Sequence, residues 1–158
     1  MRKRIVHQST QDVSPSDQPW LNVEDLAQVE VTSEEAAHPI ESALLPPNAG
    51  SGWRAEQPGQ QTVRLLFDEP QRVKLIRLVF QEDAQERTQE FVLRWSPDRG
   101  RSYREIVRQQ YNFSPPGATS ECEDYTVNLD GMTALELSIV PNISGGPARA
   151  SLAQLRLA

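Results

Sequence analysis

The sequence predicts an all-β protein, a sandwich or barrel of antiparallel strands. Its clearest indication is residues 61–80, where two runs of alternating apolar residues flank Asp68-Glu69-Pro70, the pattern of two paired antiparallel strands joined by a turn. Shorter alternating runs bounded by Pro, Gly, Asp or Asn follow at residues 91–95, 125–129, 135–140 and 152–157. No segment has a long helical pattern, and strands recurring at this density are typical of a β-sandwich or barrel.

The remaining elements follow in chain order. Residues 1–20 mix charge, Ser, Gln and Pro without a period, which predicts a flexible N-terminal arm, and residues 21–158 form the single binding domain. Residues 22–27 predict one helical turn leading into a strand around Val29 and Val31. Residues 81–90 have almost no apolar side chains, so we expect an exposed connection before the strand at 91–95. Residues 96–100 predict a tight turn and residues 102–107 the partner strand.

Composition excludes several classes of protein. The net charge of −6 opposes a general attraction to nucleic acid or to an anionic membrane, and no apolar run approaches the ~20 residues of a membrane helix. Cys122 is the single cysteine, so an intrachain disulfide is excluded. The basic start is followed by no apolar stretch of a signal peptide, and we therefore expect a cytoplasmic protein. The sequence leaves the oligomeric state open.

Cations within the predicted strands have a simple interpretation. They lie among apolar residues, so we expect them to point to solvent and to pair with acidic residues on neighbouring strands: Arg64, Lys74, Arg77, Arg94 and Arg156.

The order of these motifs resembles a known family. Gly52-Trp53 resembles a "TxW" motif, and residues 91–103, FVLRWSPDRGRSY, are similar to "YxVxxSxDGxxW". Residues 29–44 are similar to an opening strand followed by an "xxPxxALDG" segment, and residues 61–70 to "WLxVDLGxP". Together they resemble the discoidin domain, also called the coagulation factor V/VIII C-type domain, of the galactose-binding-like superfamily. The resemblance covers about residues 29–158 and implies a jelly-roll β-sandwich.

The resemblance also implies a non-catalytic binding module that uses loops at one end of the sandwich. Many carbohydrate-binding members hold calcium in the loop before the tryptophan. In this chain that loop contains Asn48 as its one obvious side-chain ligand, whereas a Ca²⁺ site needs several oxygen ligands including carboxylates. We therefore expect no cofactor and no metal; the alternative is a calcium site that Glu41 or a later Glu completes.

Three segments are candidates for ligand binding. Trp53 and Arg54 offer a ring and a fork of donors, although a large aromatic is normally part of the core. Gln110, Tyr111, Asn112 and Phe113 alternate amides with rings just before Pro115, the mixture that a sugar site needs. The alternative is that both rings fold back and cap the sandwich.

The third candidate is Arg149, at the end of a glycine-containing loop that we expect to emerge near residues 110–113. Two interpretations are open for it: binding a carboxylate of the ligand, or a salt bridge with the acidic first half of the chain.

Catalysis has little support in the sequence. His7 and His38 are the histidines, and no nucleophile elbow, histidine pair for a metal, or phosphate loop is present. The carboxylates of Glu121, Glu123 and Asp124 have two interpretations, a metal site or, as we expect, a solvated loop. The leading hypothesis is thus a module that binds a carbohydrate or a similar polar ligand, and the alternative is a cytoplasmic protein–protein interaction module that uses the same loops.

Overall fold

The computed structural model describes residues 20–45 and 52–158. Of the predicted arm, residues 1–20, only Trp20 belongs to this part of the chain. The described elements are α1 Val23–Leu26, β1 Ala27–Val31, α2 Glu41–Leu44, β2 Trp53–Arg54, β3 Gln61–Gln81, β4 Arg87–Ser96, β5 Arg104–Phe113, β6 Ser120–Val140, β7 Ser151–Leu152 and β8 Gln154–Leu157. The all-β prediction and the predicted helical turn before β1 are confirmed.

Two long strands, β3 and β6, organise the sandwich. They pair antiparallel along their length, from Gln61 opposite Ile139 to Gln81 opposite Ser120, with irregular register between Leu66 and Leu75. The first half of β3 and the second half of β6 lie in one layer, whose strand order is β1-β3-β6-β4-β5. The other halves form the second layer with β8. The rings of Phe80 and Phe91 stack 5.1 Å apart across the layers, which places the core between them.

The expected hairpin at residues 61–80 is wrong. These residues belong to the single strand β3, and its two halves pair with β6 rather than with each other. Asp68-Glu69-Pro70 marks the bend between layers, where pairing with β6 is irregular. The alternation on either side of the bend is as predicted: Val63, Leu65 and Phe67 are buried before it, and Ile76, Leu78 and Phe80 after it.

The start of β4 also differs from the prediction. Residues 82–86 form the connection, but β4 begins at Arg87, which is 3% exposed, and Gln89 is 0% exposed. Arg87 and Gln89 lie four and two residues before Phe91, so both side chains are on the same, buried side of the strand. The strand therefore carries a polar, enclosed segment where the lack of apolar residues predicted an exposed one.

The strand cations mostly behave as predicted. Arg64 donates to Glu136 at 2.8 Å, Arg94 approaches the same carboxylate at 3.3 Å, and Arg77 and Asp124 form a two-pronged pair. The prediction for Arg156 is wrong. Its side chain is buried, and its guanidinium lies 5.3 Å from the centre of the Trp20 ring.

None of the helices within residues 20–45 and 52–158 has the length and apolar character needed to cross a membrane.

Candidate functional site

Several connections converge at one end of the sandwich. Because β3 and β6 are antiparallel and both cross from one layer to the other, the ends at Gln61, Gln81, Ser120 and Val140 lie together. Residues 82–86, 114–119 and 141–150 therefore meet at this end, which we call the loop end.

A pocket of about 530 Å³ opens at the loop end. It lies between the start of β4, the end of β5 and the loop after β6, and its lining is polar except for one ring: Glu86, Arg87, Thr88, Asn112, Phe113, Ser114, Asn142 and Ser144. The predicted proximity of residues 110–113 to the loop after β6 is confirmed by Asn112 and Ser144, which line the same pocket.

Arg87 is fixed inside this pocket. Its Nε donates to Glu82 Oε1 at 2.8 Å, and its Nη1 donates to Gln89 Oε1 at 3.1 Å and to the carbonyl of Pro141 at 2.9 Å. The guanidinium lies 4.7 Å from the centre of the Phe113 ring, within the range of a cation–π contact. The Arg87 side chain is only 1% exposed, so these contacts enclose the guanidinium and leave almost none of its surface to a ligand.

The carboxylate of Glu82 neutralises this cation. Burial acts to raise the pKa of Glu82, but hydrogen bonds from Arg87 and from the backbone of Ala84 and Gln85 outweigh it, and the pKa falls below its ordinary value. Glu82 consequently remains charged at neutral pH, and the buried guanidinium needs no anionic ligand for its compensation.

Short polar contacts hold the walls of the pocket. Thr88 Oγ1 donates to Asn112 Oδ1, which connects β4 to β5. Asn142 Oδ1 accepts from the backbone N–H of Ser144 at 3.1 Å, and the N–H of Ile143 donates to the carbonyl of Thr88 at 2.9 Å. These bonds fix the loop after β6 against β4, so the hydroxyls and amides are held in place before any ligand arrives.

The four predicted residues of β5 separate onto two faces. Successive side chains of a strand point to opposite sides. Gln110 and Asn112 are exposed, whereas Tyr111 is half-buried and Phe113 is 0% exposed. The Tyr111 ring meets Phe113 edge-on at 4.9 Å, and its hydroxyl donates to the Ser120 carbonyl. Both rings therefore fold back onto the sandwich, as the alternative interpretation predicted. Of the four residues, only Asn112 and Phe113 line the pocket.

Trp53 is part of the packed core, which was the alternative to a role in ligand binding. It is 1% exposed, and its Nε1 donates to the carbonyl of Ser33 at 3.0 Å. Because the ring is enclosed, it has no free face to offer a sugar. Trp53 and Arg54 line a separate depression of about 300 Å³ on the other side of residues 82–86, together with His38.

Arg149 makes the salt bridge that was expected as one of its alternatives. Its Nη1 lies 2.9 Å from Glu35 Oε1, in the acidic first half of the chain, and Arg54 Nε approaches the same oxygen at 3.4 Å. Neither arginine lines the 530 Å³ pocket. The structure therefore places Trp53, Arg54 and Arg149 together around β2, apart from Asn112.

A buried acidic cluster was missed from the sequence. Residues 121–124 belong to β6 rather than to a solvated loop, and Glu121 is 2% exposed. Gln109 Nε2 donates to Glu121 Oε2 at 3.2 Å and to Glu123 Oε1 at 2.6 Å, and the Tyr125 hydroxyl donates to Gln109 Oε1 at 2.5 Å. Burial, followed by the hydrogen bond and the negative charge of Glu123, raises the pKa of Glu121 to about 7, although the amide of Gln89 opposes this rise.

One signal in the sequence would have revealed both the enclosed polar start of β4 and the acidic cluster of β6. Arg87, Gln89 and Phe91 alternate as β4 residues of one face, and Glu121, Glu123 and Tyr125 do so on β6. A period of two marks a strand face whether its members are apolar or polar.

In the described part of the chain, no three His, Cys, Asp or Glu side chains are grouped closely enough to hold a metal ion. Asn48 and most of the loop considered for calcium lie outside the described residues.

Comparisons with known proteins give matches to solved structures. No protein-family model matches the chain, and no curated protein matches its sequence. A family 32 carbohydrate-binding module from NanJ of C. perfringens, solved with galactose, has a TM-score of 0.64 at 13% identity, over 87% of this chain and 96% of that one. A C-terminal chitobiase domain from Bacteroides fragilis has a TM-score of 0.62 at 16% identity, over 88% and 96%.

The fold is the galactose-binding-like β-sandwich. A third similar structure is the family 32 module of AlyQ with 4,5-unsaturated mannuronic acid, with a TM-score of 0.60 at 16% identity over 85% of this chain and 95% of that one. The predicted jelly-roll β-sandwich is confirmed as a fold, and membership of the galactose-binding-like superfamily stays a prediction. At these identities the likeness concerns the galactose-binding-like fold alone, and the discoidin subfamily stays a prediction.

Proposed function

We propose that this galactose-binding-like domain is a non-catalytic carbohydrate-binding module whose site is the 530 Å³ pocket at the loop end. The observation that carries the proposal is the pocket's lining of hydroxyl and amide side chains around one ring and one fixed arginine. Sugar hydroxyls both donate and accept hydrogen bonds, and Ser, Thr and Asn side chains do the same.

The charges of the pocket favour a neutral sugar. The guanidinium of Arg87 is already paired with Glu82, and Glu86 adds a carboxylate to the lining. A ligand carboxylate at this place would meet no uncompensated cation, whereas the hydroxyls of a neutral sugar can bond with the Ser, Thr and Asn side chains of the lining without changing the local charge. Modules of the same fold have been solved with neutral galactose and with acidic 4,5-unsaturated mannuronic acid, so the choice of a neutral sugar rests on the charges of this pocket.

Two neighbouring amides provide a matched test. Asn112 lines the pocket and is bonded to Thr88, whereas Gln110 is exposed on the same strand face, two residues away, and does not line it. Asn112→Ala should weaken sugar binding at least about tenfold, the effect expected on losing a buried polar contact in a site. Gln110→Ala should bind as the unmodified protein does.

The experiment is a broad glycan array with and without calcium, followed by calorimetric titration of each hit against both variants. Equal weakening by the two variants, or none by Asn112→Ala, would place the sugar site elsewhere. A blank array with folded protein would favour the alternative, a protein–protein interaction module in the cytoplasm, and a pull-down would then search for its partner. Calcium-dependent hits would contradict the expectation that no metal takes part.

A further inference from the structure

A continuous polar chain connects the pocket to the buried acidic cluster. Gln89, on β4, accepts from Arg87 Nη1 through its Oε1 at 3.1 Å. Its other amide atom, Nε2, is enclosed and forms no hydrogen bond of good geometry, and the same is true of Glu121 Oε1 on β6. The amide is nevertheless near enough to act on the Glu121 carboxyl. Two neighbouring side chains, Gln89 and Glu121, thus each have one enclosed polar atom without a hydrogen bond.

Beyond Glu121 the chain ends in a second carboxyl. Gln109 Nε2 bridges Glu121 and Glu123, with the shorter bond, 2.6 Å, to Glu123. Burial and the negative charge of Glu123 both disfavour ionisation of Glu121, so Glu121 is the group of this cluster that holds a proton most readily.

We infer that the buried Glu121, next to the half-buried Glu123, controls, through Gln89, how firmly the pocket arginine is held. A charged Glu121 is a stronger acceptor for Gln89 Nε2 than a neutral one, because hydrogen bonds to ionised groups are roughly twice as strong as neutral ones. When Glu121 attracts Gln89 Nε2, the orientation of the Gln89 amide is fixed, and its Oε1 stays hydrogen-bonded to Arg87. A protonated Glu121 releases this constraint. Gln89, Glu121 and Glu123 are thus positioning residues, and their effect on ligand affinity rests on the proposed function.

The surroundings of Glu121 contain few other charges that interfere. On β6 itself the near titratable groups are Glu123 and Tyr125, whose pKa is raised by burial and then by the two glutamates. On β5 there are Gln109 and the Tyr111 hydroxyl, which is bonded to the Ser120 carbonyl. On β4 there are Gln89 and Arg87, and Glu82 stands beyond Arg87. Asp124 and Arg77 pair with each other and point to the outer face of the layer.

The test follows Arg87 directly and needs no ligand. In isotope-labelled protein, the Nε signal of Arg87 and the carboxyl carbon of Glu121 are recorded by NMR from pH 5.5 to 8.5. Both should change with one midpoint near neutral pH. In Glu121→Gln the Arg87 signal should no longer change with pH. Asp124→Asn is the matched control, because it neutralises a carboxylate on the same strand but on the outer face, and it should leave the midpoint unchanged.

Gln89→Met interrupts the chain while keeping a side chain of similar length. In this variant Glu121 should still titrate and Arg87 should stop following it. Arg87 signals that stay constant in the unmodified protein while Glu121 titrates would overturn the inference, and so would signals that still follow Glu121 in Gln89→Met.

A galactose titration separates this inference from the proposed function. If galactose binds, its affinity should be about fivefold higher at pH 8 than at pH 6, and Glu121→Gln should remove the difference. An affinity that is independent of pH in both proteins would contradict control of the pocket. If galactose does not bind but the Arg87 signal follows Glu121, the choice of sugar fails and the positioning chain stands.

Discussion

Replacing Glu121 by Gln should stabilise the protein, and increasingly so as the pH rises. Glu121 is 2% exposed, its Oε1 has no hydrogen bond, and its pKa is raised from 4.5 to about 7 by burial and then by Glu123. The native state therefore holds a proton that the unfolded chain loses between these two pH values. Stability that depends on this proton is fully present below pH 4.5 and is lost as the pH rises to about 7.

The size of the effect follows from the same values. A rise of the pKa from 4.5 to about 7 corresponds to a penalty on the order of 3 kcal/mol for the charged form. An enclosed Gln amide also has a desolvation cost, which offsets part of this gain, so we expect Glu121→Gln to gain about 1 to 3 kcal/mol at pH 8. Gln keeps the oxygen that accepts from Gln109, and its amide replaces the carboxyl at nearly the same volume.

The assay is urea unfolding of both proteins at half-unit steps from pH 4.5 to 8.5. The difference in unfolding free energy should grow up to about pH 7 and stay constant above it. Asp124→Asn serves as the control, because the hydrogen bond and charge of Arg77 lower the pKa of Asp124, so this variant should lose stability without a trend across that window. A difference for Glu121→Gln that does not vary with pH, or a loss of stability at pH 8, would refute the reasoning.

Two further predictions concern packing around β2. Trp53→Ala should cost about 3–5 kcal/mol of stability, because the ring is 1% exposed and its Nε1 is bonded, and an unchanged melting temperature would contradict its core role. Gly52→Ala should cost more than about 2 kcal/mol in chemical denaturation, since its φ is +82° and a Cβ would stand 2.7 Å from the carbonyl oxygen of Leu152. Gly145→Ala, at φ +83° with open space around it, should cost only about 1 kcal/mol, and equal losses would disprove the contact at Gly52.

Local pattern was enough to predict most strands. Alternation in residues 61–67 and 73–80 identified strand segments and their buried faces, because the side-chain period of a strand is a local property. The partner of each segment is not local. The sequence suggested that these two segments pair with each other, whereas the bend at residues 68–70 takes the chain into the second layer, where β6 provides a longer complementary edge.

The residues of the candidate site were likewise predictable only in part. The polar end of β5 and its proximity to the loop after β6 were predictable from the order of the strands, and Asn112 and Ser144 do line one pocket. Arg87 and Glu121 were not identified, because charged residues without apolar neighbours predict exposure. Their burial depends on partners that are distant in sequence: the carbonyl of Pro141 for Arg87, and Gln109 for Glu121.

The sequence by itself determined an all-β fold, most of its strand segments and their buried faces, since hydrophobic periodicity acts within each segment. Only the tertiary structure decided which polar residues are enclosed and which residues of β5 line the pocket. The free energy of burying a charge depends on the groups that surround it in space, and for Arg87 and Glu121 these groups come from other strands and loops.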